Sequence, residues 1–405
     1  MSACPSTGKT PAPTGPATLS IKGRPMPMSP AESYALQQAI GGTGWTHPDA
    51  HALPEQFKNR APSAMEHKFT STGVKFWKHR EAMESYKAGT GRSVISTHVA
   101  PEGRCNLKCS YCSVSERVLQ SRIDLDRIRD YLTKLKGRGL KAVILTGGGE
   151  PTLYPQFNPL GEWILEQGLE LALITNGTQF NRVSDTILGN LSWLRVSMNR
   201  FEQWESKITL PRERLGGKTT VGMSICHSAE NKDREFLTKV AAFAEAKDVS
   251  YVRVLPDCML PQAQLVKEHE ELDQLFARVE GGKRFFHQFK IHGSPCQAKC
   301  HQSFFRPYLS EQVDPATGKS GLVFPCDSVV LNDQAMEFAH KFALCRPEEI
   351  LDYMDHKIPQ GFDATTDCTG CVFTRNVDML DRFVNGREER FAEVAGLEMS
   401  HVNFV

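Results

Sequence analysis

The chain has 405 residues, a hydrophobic fraction of 40% and a formal net charge of +1. That length can bury a large core and house more than one module, while the near-neutral charge gives no global attraction to nucleic acid or anionic lipid. No apolar run reaches the roughly 20 residues of a bilayer span, and Met1–Pro30 lacks the apolar core of a signal peptide, so the expected location is the cytoplasm.

Residues 1–30 hold seven prolines among Gly, Ser and Thr, with Lys9, Lys22 and Arg24 as their only charged side chains. Residues 1–60 are expected to be a disordered or extended tail, and 61–93 a set of lead-in helices. From Val94 the pattern becomes regular. Strands are predicted at Val94–Val99, Ala142–Leu145, Leu171–Ile174, Leu194–Met198, Thr219–Ile225 and Tyr251–Leu255. Helices fall between them at Asp124–Lys136, around Trp163–Gln167, at Asn181–Leu188 and at Asp233–Ala246. In the first of these, Leu125, Ile128, Leu132 and Leu135 recur at helical spacing behind Asp124. Six βα repeats imply a parallel sheet with helical crossovers. A closed eight-stranded barrel takes about 250 residues. The shorter span predicts an α/β fold, a partial (βα)6 TIM-like barrel over 94–290. A smaller α+β module and tail follow over 291–405. Functional groups are expected at the C-terminal ends of the strands.

The first strand is followed by Cys105-Asn106-Leu107-Lys108-Cys109-Ser110-Tyr111-Cys112, a C-x3-C-x2-C run. Three thiolates at this spacing can hold three irons of a cubic [4Fe–4S] cluster and leave the fourth for a ligand outside the protein. A zinc ion closed by His98 is the alternative. The second strand ends in Gly147-Gly148-Gly149-Glu150-Pro151, where Gly permits close backbone approach to a ligand and Pro fixes the turn. Thr175, Asn176 and Gly177 end the third strand, and Ser197 and Asn199 the fourth. Each reads equally as an ordinary strand-end turn. Arg253 lies between Val252 and Val254 and points either into the barrel or at a structural carboxylate. His227, after the fifth strand, is a structural histidine or a proton donor.

Further cysteines stand at 296, 300, 326, 345, 368 and 371. The tight spacings favour reduced, metal-bound thiolates over disulfides. Gly321–Cys326 is a G-x4-C element behind a turn at Asp314–Gly318, and Cys368 and Cys371 form a C-x2-C pair. Cys4, Cys226 and Cys258 are most simply unligated. The basic and aromatic stretch Lys283–Lys290 reads as a half-buried strand in preference to a base-stacking surface.

The Cys triplet together with Gly148–Pro151 resembles the radical S-adenosylmethionine (SAM) family, and the resemblance runs from Val94 to Asn376. It implies that Cys105, Cys109 and Cys112 bind the catalytic cluster and that SAM completes it. One-electron reduction then releases a 5′-deoxyadenosyl radical, which takes a hydrogen from the substrate. It further implies SAM contacts from Gly148, Gly149, Glu150 and Pro151. Tyr111 is expected near the adenine, with ribose or carboxylate contacts from Asn176, Ser197, Asn199 and Arg253. The later cysteines resemble the SPASM and shorter twitch auxiliary modules of that family, which implies a second [4Fe–4S] cluster on Cys300, Cys326, Cys368 and Cys371. The twitch form fits better, because no cysteine follows Cys371. The long gap from Cys300 to Gly321 implies an insertion around Ser310–Lys319. Cys296 or Cys345 in place of Cys300, and structural zinc in place of the cluster, are the alternatives. The partners implied are a one-electron donor such as flavodoxin or ferredoxin and a substrate, with no membrane. That substrate is a peptide side chain, a small metabolite or a modified nucleotide, including amino-acid-decorated thymidine in phage DNA. The outcome is oxidation, isomerisation or epimerisation. A non-catalytic zinc-binding interaction module is the reading from another class.

Overall fold

The computed structural model describes residues 63–115, 117–260, 262–276, 279, 281–290, 298–329, 342–357, 361–363, 368 and 371–405. The expected tail at 1–60, Cys4 and Cys296 lie outside these residues.

Two helices lead in, α1 (Ala64–Phe69) and α2 (Arg80–Lys87). The repeats follow in the order β1 (Ser96–Val99), α3 (Leu125–Gly137), β2 (Ala142–Leu145), α4 (Phe157–Glu166), β3 (Glu170–Thr175), α5 (Asp185–Asn190) and β4 (Trp193–Ser197). Next come α6 (Trp204–Lys207), β5 (Thr220–His227), α7 (Arg234–Ala246), β6 (Tyr251–Pro256) and α8 (Gln262–Phe276). The helix starts follow from the sequence. Asp124 caps α3 by accepting from the Asp126 amide, and Asp233 caps α7 by accepting from the Phe236 amide at 2.8 Å.

Strands β1 to β6 stand side by side in chain order, all parallel, and the six predicted strands are therefore present. A seventh parallel strand, β7 (Phe285–His287), extends the row beyond β6, so the basic and aromatic stretch is a strand. The chain then crosses to the other edge. There β8 (Tyr308–Val313) pairs in parallel with β1, and β9 (Ser320–Phe324) returns antiparallel to β8. The residues expected as an insertion, Ser310–Lys319, are thus the second half of β8 and the tight turn into β9. Among the described residues three helices end the chain, α9 (Ile350–Lys357), α10 (Thr374–Val384) and α11 (Phe391–Ala395).

Alternation along the strands sorts two layers. Val143, Leu145, Leu171 and Leu173 join the main core with α3 residues Ile128 and Leu132. Their neighbours Ala142, Ile144 and Ala172 face the other way and cluster with Trp193 and Phe404. On that second face one cavity of about 720 Å³ is lined from all six of β1 to β6. A flat sheet cannot wrap a single cavity in this way, and the fold is a partial barrel. The C-terminal strand ends and their loops form one end of the cavity. Trp193, Phe404 and the lead-in residues Phe69 and Lys75 line the other.

Candidate active site

Cys105, Cys109 and Cys112 lie on the loop after β1, half-buried, and all three line the cavity. The loop is pinned to its neighbour by backbone. Gly149 N donates to Glu102 O at 2.8 Å and Glu150 N to Arg104 O at 2.7 Å. This approach is why glycine is needed there: a Cβ on Gly149 would run into the Arg104 carbonyl, and one on Gly148 into the Glu311 carboxylate.

The sulfurs have donors around them. The Leu107 amide donates to Cys105 Sγ at 3.4 Å, Arg117 Nη1 to Cys112 Sγ at 3.4 Å, and Asn176 Nδ2 approaches Cys105 Sγ at 3.9 Å. Burial pushes the Cys109 thiol up to about 11, so its thiolate form needs a positive partner such as metal.

The loop after β2 and the ends of β3 and β4 meet this cysteine loop. Gly148, Gly149, Glu150 and Pro151 line the cavity, as do Asn176, Ser197, Asn199, Arg253 and Tyr111. Every residue predicted for SAM therefore faces one space. Glu150 is 2% exposed and takes four hydrogen bonds. Thr152 N at 3.1 Å, Thr152 Oγ1 at 2.6 Å and Thr175 Oγ1 at 2.6 Å reach one oxygen, and Asn176 N at 2.7 Å reaches the other. It clamps the β2 end to the β3 end. Asn176 also donates to Asn106 Oδ1 at 2.8 Å, and the Tyr111 hydroxyl donates to Asn199 Oδ1. Ser197, Ser224 and Arg253 share one rung of the sheet, and Arg253 donates to Ser224 Oγ at 2.8 Å and Gln288 Oε1 at 2.9 Å. It therefore points inward, with no carboxylate bound. Burial and the Arg195 charge push it down to about 9.

Residues 101–199 match the family described as the Radical SAM superfamily. Over those residues the chain is a radical SAM segment. The match spans the cysteine loop, the Gly148–Pro151 loop and the ends of β3 and β4, and it carries with it a [4Fe–4S] cluster and SAM as cofactors. The chain is 32% identical over 84 residues to an S-adenosylmethionine-dependent nucleotide dehydratase of Selenomonas ruminantium, covering 21% of this chain and 30% of that protein. It is 27% identical over 129 residues to the GTP 3′,8-cyclase of Chlorobaculum tepidum, covering 31% and 39%. The chain thus spans well under half the length of these two relatives. Among solved structures, Streptococcus suis SuiB bound to precursor peptide SuiA gives a TM-score of 0.45 at 13% identity, covering 64% of this chain and 65% of that one. Native anSMEcpe with bound AdoMet and Cp18Cys peptide gives 0.42 at 14%, covering 74% and 96%.

Beyond the radical SAM segment the four later cysteines gather away from the triplet. Cys300 is buried in a small apolar cluster with Phe373 and Val377, and Cys326, Cys368 and Cys371 pack against it. Burial pushes the Cys326 thiol up to about 12. Cys345 belongs instead to the main core, beside Val323, and Cys296 lies outside the described residues. None of the four lines the cavity, yet their neighbours Asp327, Val372 and Phe373 do. Thiolates on one zinc ion lie about 3.8 Å apart, given Zn–S bonds of about 2.3 Å. Among the described residues, no three of these sulfurs, nor the triplet, lie within 4.8 Å of one another.

His98 does not join the triplet. It faces Asp327 at 3.5 Å, and Asp327 also accepts from Arg306 at 2.9 Å. His227 is tied to Glu268 and does not line the cavity, while Cys226 and Cys258 do. Arg117, Glu311, Lys75 and Arg195 were not singled out in the sequence. Arg195, between Leu194 and Val196, carries the same signal as Arg253, a charge inside an apolar strand. Arg117 and Glu311 carry none.

Proposed function

We propose that this chain reductively cleaves SAM and uses the 5′-deoxyadenosyl radical to abstract a hydrogen from a substrate held in the barrel cavity. The observation that carries the reading is the convergence of the three loop thiols and the Gly148–Pro151 loop on one cavity. Cys105, Cys109 and Cys112 would hold a [4Fe–4S] cluster, which would supply the electron for reductive cleavage of SAM.

The rest is the work of the chain's own groups. Asn176, Arg117 and the Leu107 amide donate toward sulfur and lower its negative charge, which favours the reduced state. Glu150 already has four donors, so its part in SAM binding is to hold the loop's shape and leave the Gly148 and Gly149 backbone facing the ligand. Arg253, free of any carboxylate, suits the SAM carboxylate. Tyr111, fixed by Asn199, suits the adenine. Depth in the cavity keeps water and other hydrogen donors from the radical.

The gathered Cys300, Cys326, Cys368 and Cys371 suit an auxiliary [4Fe–4S] cluster, one wall away from the substrate. That position suits acceptance of an electron from a substrate radical, giving net oxidation. A purely structural role gives isomerisation or epimerisation instead. A peptide side chain, a small metabolite and a modified nucleotide all remain as substrate classes, with flavodoxin or ferredoxin as donor. The nucleic-acid reading draws nothing from Lys283–Lys290: Phe286 is buried, and Arg284 pairs with Glu245 at 3.0 Å.

The test is Cys109→Ala in anaerobically reconstituted, dithionite-reduced protein. Loss of 5′-deoxyadenosine formation is expected together with loss of the reduced-cluster paramagnetic signal. Normal turnover in this variant would refute the reading.

A further inference from the structure

The cavity wall carries more positive charge than its acids balance. Glu150 is saturated by neutral donors, Asp327 is held by Arg306 and His98, and Asp257 accepts from the Met259 amide at 3.0 Å. Among the described residues, Lys75, Arg195, Arg253 and Lys290 line the cavity with no carboxylate on any of them.

Two of these sit at the floor. Lys75 is 2% exposed and Arg195 is 8% exposed. The Lys75 ammonium donates to the His401 carbonyl at 3.3 Å. Arg195 Nε donates to the Tyr251 hydroxyl at 3.1 Å and Nη2 to the Phe69 carbonyl at 3.0 Å. An ammonium has three N–H groups and a guanidinium five. Among the described residues three of those eight are used, all on neutral oxygens. Burial, and then the neighbouring Arg195 charge, push Lys75 down to about 7. Two buried like charges without a counter-ion destabilise a fold, and their retention points to a ligand that balances them.

We infer that Lys75 and Arg195 form a receptor for an oxyanion of the substrate, a carboxylate or phosphate group, at the floor of the cavity. Calling that occupant the substrate rests on the proposed function; the receptor itself does not. Under the proposed function the SAM carboxylate goes to Arg253, so the oxyanion at Lys75 and Arg195 is the substrate's own. Arg195 lies two residues before Ser197, the end of β4, or about 7 Å down the strand from the rung that Arg253 shares. The receptor therefore anchors the substrate by its anionic end and turns the remainder toward the Cys loop. Trp193, stacked over Arg195 at 5.0 Å, and Phe404 shield it from below.

Calorimetric titration of the full chain with inorganic phosphate and with acetate tests this, alongside melting in anion-poor buffer. Wild type is expected to bind at least one of the two saturably, and the stronger ligand identifies the group as phosphate or carboxylate. Lys75→Met and Arg195→Gln should each weaken that binding by about tenfold or more, the effect of losing one charge-assisted contact. Lys75→Met should also melt higher than wild type without anion, since it removes an unbalanced charge. A merely structural ammonium predicts a lower melting point. No saturable binding by wild type, unchanged binding in both variants, or a destabilised Lys75→Met each overturns the receptor. Absence of SAM cleavage with anion binding intact removes only the radical reading.

Discussion

Two buried carboxylates flank the loop after β2, and their surroundings are opposite. Glu150 has four donors. Glu311, on β8, is fully buried; one oxygen accepts from Ser310 Oγ at 2.9 Å, while the other, against Gly148, has no partner among the described residues. Burial outweighs the nearby Arg117 and pushes Glu311 up to about 7 from 4.5. The folded protein keeps this proton over a window in which the unfolded chain releases it. Stability due to Glu311 is therefore complete below pH 4.5, falls as pH rises, and levels off above about 7, a loss of up to about 3 kcal/mol. Glu311→Gln should flatten that part of the profile, so that it gains on wild type between about pH 5 and pH 8. Parallel melting curves for the two proteins across that range would show that the carboxyl is balanced in some other way. Gly148→Ala presses a methyl group onto the same carboxylate. It should destabilise the protein and weaken SAM binding in equilibrium dialysis, whereas unchanged SAM affinity would separate this loop from the ligand.

At the scale of elements, the local patterns in the sequence were informative and the distant pairings were not. The apolar spacing in α3, with its Asp124 cap, predicts a helix that the structure has, because helical burial depends on residues three and four apart. The turn at Asp314–Gly318 likewise marks the β8–β9 hairpin, with Gly318 at φ 68°. What periodicity cannot give is a strand's partner. Nothing in Tyr308–Val313 announces that it lies against β1, more than 200 residues away in sequence, or that Glu311 thereby reaches Gly148. The gap before Gly321 therefore reads as an insertion, although it is a sheet strand. The cysteine loop was legible because its spacing is local, whereas Lys75 and Arg195 meet only through the fold. The same contrast governs the C-terminal cysteines. Cys371, three residues before α10, packs on the Cys300 group. Cys371→Ala should lower bound iron and reduce product formation more than 5′-deoxyadenosine formation. Full iron content and unchanged coupling in that variant would remove the auxiliary cluster from the mechanism.

Across the whole molecule, segments far apart in sequence close the end of the barrel opposite the cysteine loop. Phe69, from the lead-in, stacks on Tyr251 at 4.3 Å, and Phe404 meets Trp193 edge-on at 5.4 Å. His401 bonds to Thr220 Oγ1 at 2.8 Å, at the start of β5, and receives Lys75 on its carbonyl. The floor thus couples packing to charge: the aromatic rings that exclude water also keep Lys75 and Arg195 poorly solvated. Phe404 is 2% exposed and contacts Ala142, Ile144 and Ala172 through the inner cluster. Phe404→Ala should cost about 3–5 kcal/mol of stability, the usual loss for a buried phenylalanine. It should also admit water to the floor, which moves the Lys75 ammonium back toward its ordinary range and weakens the anion receptor by competing solvation. Urea unfolding with and without phosphate separates the two effects. A lower midpoint with a smaller phosphate shift is expected. A lower midpoint with the wild-type phosphate shift would mean that Phe404 only packs, and that the dryness of the floor is not what gives its cations their grip.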